Sequence, residues 1–223
     1  MRNIAEAEKP RAVSLDFDGV LFHRIPAQSD VLRFWSYDEP FVSHHSPITA
    51  ADRVVRNDPM SLGEELSFLL HTRRGVKPEA AAFVAQLPPD VVIFGNTGRP
   101  NNRPMVDMTN GQLYIAGIDG YFEDVLFKPK GVESDESKYW GLEELSKFYD
   151  ITHYDDNAKA VRRLAPKLPH VRFVIVQDLT SGILFSKKEM EKYPNVARIA
   201  MKKDGRIDIT YITPEFGSQL HRT

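Results

Sequence analysis

Short apolar runs separated by longer amphipathic stretches constrain this chain more than any other feature of its sequence. Ala12–Phe17, Asp90–Phe94, Asp124–Phe127, Ile151–Tyr154 and Val171–Val176 are brief and mostly rich in Val, Ile and Phe. Strands buried on both faces of a sheet read this way. Between them, Pro78–Leu87 opens with proline, which suits a first helical turn, and ends before Pro88-Pro89. Ser137–Tyr149 sets Leu142, Leu145 and Phe148 along one helical face, and Asn157–Leu168 has an Asn cap with Ala160, Val161 and Leu164 turned inward. Strands alternating with helices predict an α/β fold, a parallel sheet covered on both faces by helices.

Two regions interrupt the alternation. Residues 22–76 are too long for an ordinary connection and hold Phe34, Trp35, Tyr37, Phe41, His44-His45 and a helix-like stretch around Leu62–His71. They are expected to form a small inserted cap, leaving 1–21 and 77–223 as the core. Near the end, Val196–Met201 and Arg206–Ile212 alternate on either side of Lys202-Lys203-Asp204-Gly205, which predicts a C-terminal β-hairpin.

Composition removes several chemistries. The chain has no cysteine, so thiol nucleophiles, iron–sulfur centres, Cys-ligated zinc and disulfides are excluded. Lys and Arg number 29 against 31 Asp and Glu, which argues against a general polycation acting on nucleic acid. Met1–Pro10 has no apolar run of signal-peptide length and no later stretch has the ~18 apolar residues of a membrane span, so the expectation is a soluble, cytoplasmic protein.

The strongest local signal is Leu15-Asp16-Phe17-Asp18-Gly19-Val20-Leu21, two carboxylates where an apolar strand runs into glycine. Strand C-terminal ends form the crevice in which open α/β sheets bind ligands. There one carboxylate can attack phosphorus while a second handles protons. Phe94-Gly95-Asn96-Thr97-Gly98-Arg99 follows the second strand, where a hydroxyl and a glycine allow side chain and backbone to approach phosphate oxygens. Asp155-Asp156 follows the fourth. Alone, Asn-Thr-Gly and Asp-Gly are ordinary turn chemistry; crowded with Asp16, the acidic pair suits a divalent cation.

In order and placement these segments resemble motifs I, II and IV of the haloacid dehalogenase-like (HAD) superfamily of phosphotransferases, over roughly residues 12–176. The resemblance implies a Rossmann-like sheet and a Mg²⁺-dependent phosphatase. It makes Asp16 the nucleophile and Asp18 the acid that protonates the leaving group and then activates water. Thr97 and a motif III lysine would hold the phosphoryl oxygens, with Gly19, Asn96, Gly98 and Arg99 lining the substrate. Mg²⁺ would meet Asp16, the backbone carbonyl of Asp18 and Asp156, with Asp155 in support; the last two roles are interchangeable. The second Asp of motif I favours a phosphatase over a dehalogenase.

For the lysine two residues compete. Lys128, in Phe127-Lys128-Pro129, resembles the Lys-Pro form of motif III; Lys138 opens the helix Ser137–Tyr149, where its charge adds to the positive helix end. From Lys138 to Asp155 the interval fits one helix, a short turn and one strand, whereas Lys128 requires an extra loop. The spacing favours Lys138. The Thr97-Gly98-Arg99 triplet and Ile151–Asn157 look most like the polynucleotide 3′-phosphatase and RNA-repair subset, which implies nucleic-acid ends as substrate. A small-molecule phosphatase for nucleotides or sugar phosphates is the alternative, and a non-catalytic phosphate-binding regulator a second one.

Other conspicuous residues have plainer readings. His23 and His44-His45 match no ligand spacing, Arg73-Arg74 and Arg162-Arg163 read as solvated helix-end charges, and the aromatics around Trp35 as cap core. Lys187, Lys188, Lys192, Arg198, Lys202, Lys203 and Arg206 read as a hairpin edge that discourages strand pairing.

Overall fold

In a computed structural model the described residues are 8–23, 49, 51–177, 187–213 and 216. The aromatics at 34–41 and His44-His45 lie outside them. The strands are β1 (Arg11–Leu15), β2 (Val92–Pro100), β3 (Phe122–Lys128), β4 (Asp150–Asp155), β5 (Arg172–Val176), β6 (Val196–Met201) and β7 (Ile207–Ile212). The helices are α1 (Leu62–His71), α2 (Pro78–Gln86), α3 (Arg103–Ile115), α4 (Ser134–Ser146), α5 (Ala158–Leu164) and the four-residue α6 (Lys187–Met190). The strands form one sheet in the order β3-β2-β1-β4-β5-β6-β7, parallel throughout except for the β6–β7 hairpin.

Period-two alternation sends neighbouring residues to opposite faces. Val13 and Leu15 of β1 with Val174 and Val176 of β5 join Ala80, Phe83 and Val84 of α2 and Leu113 of α3 in one core. Ala12, Phe173 and Ile175 join Leu142 and Leu145 of α4 and Val161 and Leu164 of α5 in the other. The sheet therefore carries helices on both sides, as the alternation predicts.

The chain moves from β1 outward through β2 to β3, then returns to place β4 on β1's other side. This reversal opens a crevice at the C-terminal ends of β1 and β4. Leu15 pairs with Tyr154 and with Gly95, and the Asp16 N–H still donates to the Tyr154 carbonyl at 2.9 Å. Asp16, Asp155 and the Asn96-Thr97 step thus meet at one level.

Two local expectations need correction, and one helix was not expected. β2 does not turn at Asn96-Thr97-Gly98; the backbone stays extended to Pro100, although pairing with β3 shifts between Asn96 and Pro100. Helix α4 begins at Ser134, so Lys138 lies one turn inside it rather than opening it. Helix α3 carries no clear apolar periodicity in Arg103–Ile115, yet forms with Asn102 capping the Met105 N–H and proline in its first turn. Within the inserted segment, α1 has its expected bounds and starts with a reciprocal Ser61–Glu64 capping box, worth about 1 kcal/mol. Among the described residues no helix is long and apolar enough to cross a membrane.

Candidate active site

Asp16 is the first residue beyond β1 and is 5 % exposed. The Lys138 ammonium, carried across from α4, contacts Asp16 Oδ1 at 3.1 Å and Asp155 Oδ2 at 2.7 Å. Asp155 Oδ1 accepts the Asn157 N–H at 2.7 Å, while the Asn157 side chain caps α5 through Lys159 N and Ala160 N. The same Asn therefore starts the helix and holds the carboxylate still. Behind Asp155, the buried His153 ring faces Asp155 Oδ2 at 3.4 Å and the Ser14 hydroxyl at 3.0 Å, on paired positions of β4 and β1. Burial keeps His153 below its ordinary pKa, so it acts as a neutral spacer.

Charges in this pocket are shared unequally. Burial pushes the Asp16 carboxyl well above its ordinary value; Lys138 pulls it down, but Asp155, Asp156 and Asp18 add to the rise. Asp155 is just as buried, yet Lys138 and His153 outweigh that penalty and hold it below the usual carboxylate range. Burial works against the Lys138 charge as well, and Asp155 and Asp16 overcome it, raising its pKa above the usual lysine range.

Asp16, Asp155 and Asp156 each offer a carboxylate oxygen within 4.8 Å of the others, and all three are buried. Three acids facing one ammonium leave a local excess of negative charge that an oxygen-preferring divalent cation would balance. The donor set fits Mg²⁺. Gly19 makes room for the Asp156 carboxylate: its φ is +99°, and a Cβ there would lie 2.1 Å from Asp156 Oδ2.

Asp18 has a separate set of partners. Arg99 Nη2 meets its Oδ1 at 2.8 Å and Arg99 Nε its Oδ2 at 3.2 Å; Arg74 Nη1 meets Oδ1 at 2.8 Å and His71 Nε2 meets Oδ2 at 2.9 Å. Burial would raise its pKa, but the His71 hydrogen bond and the Arg99 charge hold the carboxyl well below the usual range. His71 Nδ1 faces the Ser67 carbonyl at 2.6 Å and the Ser67 hydroxyl at 3.3 Å, which fixes the ring while Nε2 meets Asp18. A quarter of the Asp18 side chain remains exposed.

The other expected residues fall in different places. Thr97 is fully buried and its hydroxyl accepts the Arg99 N–H at 3.2 Å. Asn96 donates to the Lys138 carbonyl at 3.3 Å, and Gly98 packs where a Cβ would meet Ser134 Oγ at 2.3 Å, so both seat α4 against β2. Arg99, expected along the substrate, is 1 % exposed and turned inward: its donors go to Asp18, Thr109 and Gln112, and it lies over the Phe22 ring. Lys128 instead donates to the Val132 carbonyl at 3.0 Å, and burial lowers its pKa.

Sequence reasoning missed His71, Arg74, Gln112 and His153. Arg74 was expected in solvent as a helix-end charge; instead it is buried against Asp18. The signal that could have found it is Arg74-Gly75, an arginine beside a glycine at the point where the inserted segment returns to the core. Arg163 is half-buried and paired with Asp135 at 2.6 Å. Lys202 and Arg206 pair with Asp208 and Asp204, as suits a solvated hairpin.

No known family profile matches the chain, and no curated protein matches it in sequence. Solved structures that match include a haloacid dehalogenase-like family hydrolase from Streptococcus pneumoniae, with TM-score 0.47, 10 % identity and coverage of 87 % of this chain and 95 % of that one. Another is the HAD domain of an effector protein from Legionella pneumophila, with TM-score 0.44, 15 % identity and coverage of 84 % and 97 %. A third is a HAD-superfamily hydrolase, subfamily IA, from Geobacter sulfurreducens, with TM-score 0.41, 17 % identity and coverage of 77 % and 89 %.

Proposed function

We propose that the chain is a HAD-like, Mg²⁺-dependent phosphatase that hydrolyses a phosphomonoester through an aspartyl-phosphate on Asp16. The observation that carries this reading is the Asp16–Lys138–Asp155 contact at the crevice where the sheet reverses, with Asp18 two residues beyond Asp16. An Asp16 oxygen bonds phosphorus as the bond to the leaving oxygen breaks, and that oxygen takes its proton from the protonated form of Asp18, which is left as the carboxylate. The Asp18 carboxylate then takes a proton from water as the water oxygen bonds phosphorus and the Asp16–phosphorus bond breaks, releasing inorganic phosphate. Lys138 and Thr97 hold phosphoryl oxygens, and Arg99 with Arg74 keeps Asp18 in place. Asp16, Asp155, Asp156 and the Asp18 carbonyl would hold the Mg²⁺, which when bound supplies positive charge beside the nucleophile and the phosphoryl oxygens.

The inserted segment 22–76 takes the part of a cap. Its support is that α1 and the turn after it deliver His71 and Arg74 to Asp18. For the substrate, the motif likeness around Thr97-Gly98-Arg99 supports a nucleic-acid 3′ end. Turnover of p-nitrophenyl phosphate in Mg²⁺, its loss in EDTA and its loss in Asp16→Asn test the reaction; retained turnover in Asp16→Asn would falsify the nucleophile. A panel of 3′-phosphorylated oligonucleotides, nucleotides and sugar phosphates then selects the substrate. Inertness towards all of them points to a phosphate-binding regulator.

A further inference from the structure

Asp18 is held by three side chains from two separate parts of the chain, and one residue joins them. Gln112, half-buried on α3, accepts Arg99 Nη1 at Oε1 over 3.0 Å. Its Nε2 donates to the His71 carbonyl and to the Arg74 carbonyl, each at 2.8 Å. The chemistry fixes the orientation of the amide, because a flipped group would set N–H against the guanidinium and oxygen against two carbonyls. The circuit closes on Asp18. Arg99 grips it from one side, while the His71 and Arg74 side chains grip it from the turn whose backbone Gln112 holds.

We propose that Gln112 is a positioning residue for Asp18, locking the 71–74 turn of the inserted segment to Arg99 so that three donors aim one carboxyl group. The proposal rests on the phosphatase reading, in which Asp18 is the proton donor. Only a primary amide supplies one acceptor and two donors in this space: glutamate keeps the acceptor for Arg99 and loses both donors, and alanine loses all three. A looser Asp18 leaves the attack by Asp16 in place and impairs proton delivery to the leaving oxygen. The damage should therefore grow with the basicity of the leaving group.

The test compares Gln112→Ala and Gln112→Glu with wild type on p-nitrophenyl phosphate and phenyl phosphate in Mg²⁺, with melting curves alongside. For the variants kcat/KM should fall about 10-fold or more on phenyl phosphate and less than about 3-fold on p-nitrophenyl phosphate. An equal loss on both substrates, or none, overturns the positioning role. Failure of both variants to fold also overturns it, since the residue is then purely structural. Wild-type inertness on both esters, or turnover surviving in Asp16→Asn, instead sinks the phosphatase reading.

Discussion

Replacing Lys138 by methionine keeps most of the side-chain volume and removes the only positive charge the described structure places on Asp16. The ammonium lies 3.1 Å from Asp16 and 2.7 Å from Asp155, with 4 % of its side chain exposed. Removing one member of such a buried set strands the other charges, a loss of about 3–5 kcal/mol. For a chain of this size that corresponds to a melting point lower by about 6–20 °C. The sign follows from the two shifts. Lys138 is held above its ordinary 10.5, so its contribution is complete below that value and lost as pH rises through the raised one. Asp155 is held below its ordinary 3.8, so its contribution is complete above that value and lost as pH falls. The deficit of Lys138→Met should therefore be full between about pH 5 and 9 and shrink toward pH 3. Melting in EDTA across this range measures it, and millimolar Mg²⁺ should narrow the gap by supplying the missing charge. A variant melting within about 2 °C of wild type in EDTA at neutral pH would refute the electrostatic reasoning. On activity, Lys138→Ala should lose orders of magnitude and Lys128→Ala far less; the opposite ranking would reassign the lysine.

Asp16→Asn works in the other direction. Burial raises the Asp16 carboxyl, so wild type loses stability as pH climbs from 3.8 through the raised value, and the variant should melt higher than wild type at neutral pH in EDTA; a lower melt there would contradict the burial penalty. Gly19→Ala should lower stability and abolish turnover together, because both the φ of +99° and the 2.1 Å approach to Asp156 Oδ2 forbid a Cβ; an active, stable variant would mean that the turn can move. Asn195→Ala should cost about 1–3 kcal/mol in urea unfolding without touching kcat, since its amide serves the Ala165, Leu168 and Val171 carbonyls, remote from the acids. A change in kcat would reveal coupling from that edge to the site.

Strand identity was legible because both periodicities survive in one dimension: β1, β4 and β5 bury neighbouring residues on opposite faces, and their apolar runs say so. The acids at 16, 18, 155 and 156 were legible because each sits directly after such a run. Helix α3 was not. Its sequence mixes Asn110, Gly111 and Gln112 with Met105 and Leu113, and it is held by packing on β2 and by its cap rather than by propensity. The motif resemblance set Arg99 along the substrate; the anion it meets is Asp18.

The sequence by itself determined the alternation of strands and helices, the hairpin at the end, and which acids stand at strand ends. These follow from residue-to-residue patterning, which backbone geometry converts directly into faces and turns. Only the tertiary structure decided which lysine meets those acids and what surrounds Asp18. Lys138 reaches Asp16 because α4 packs on β2 through Asn96 and Gly98, and His71, Arg74 and Gln112 converge because the inserted segment returns alongside α3. Contacts between groups so distant along the chain leave no periodic trace. They exist only once burial has fixed how the layers lie and each buried charge has had to find a partner.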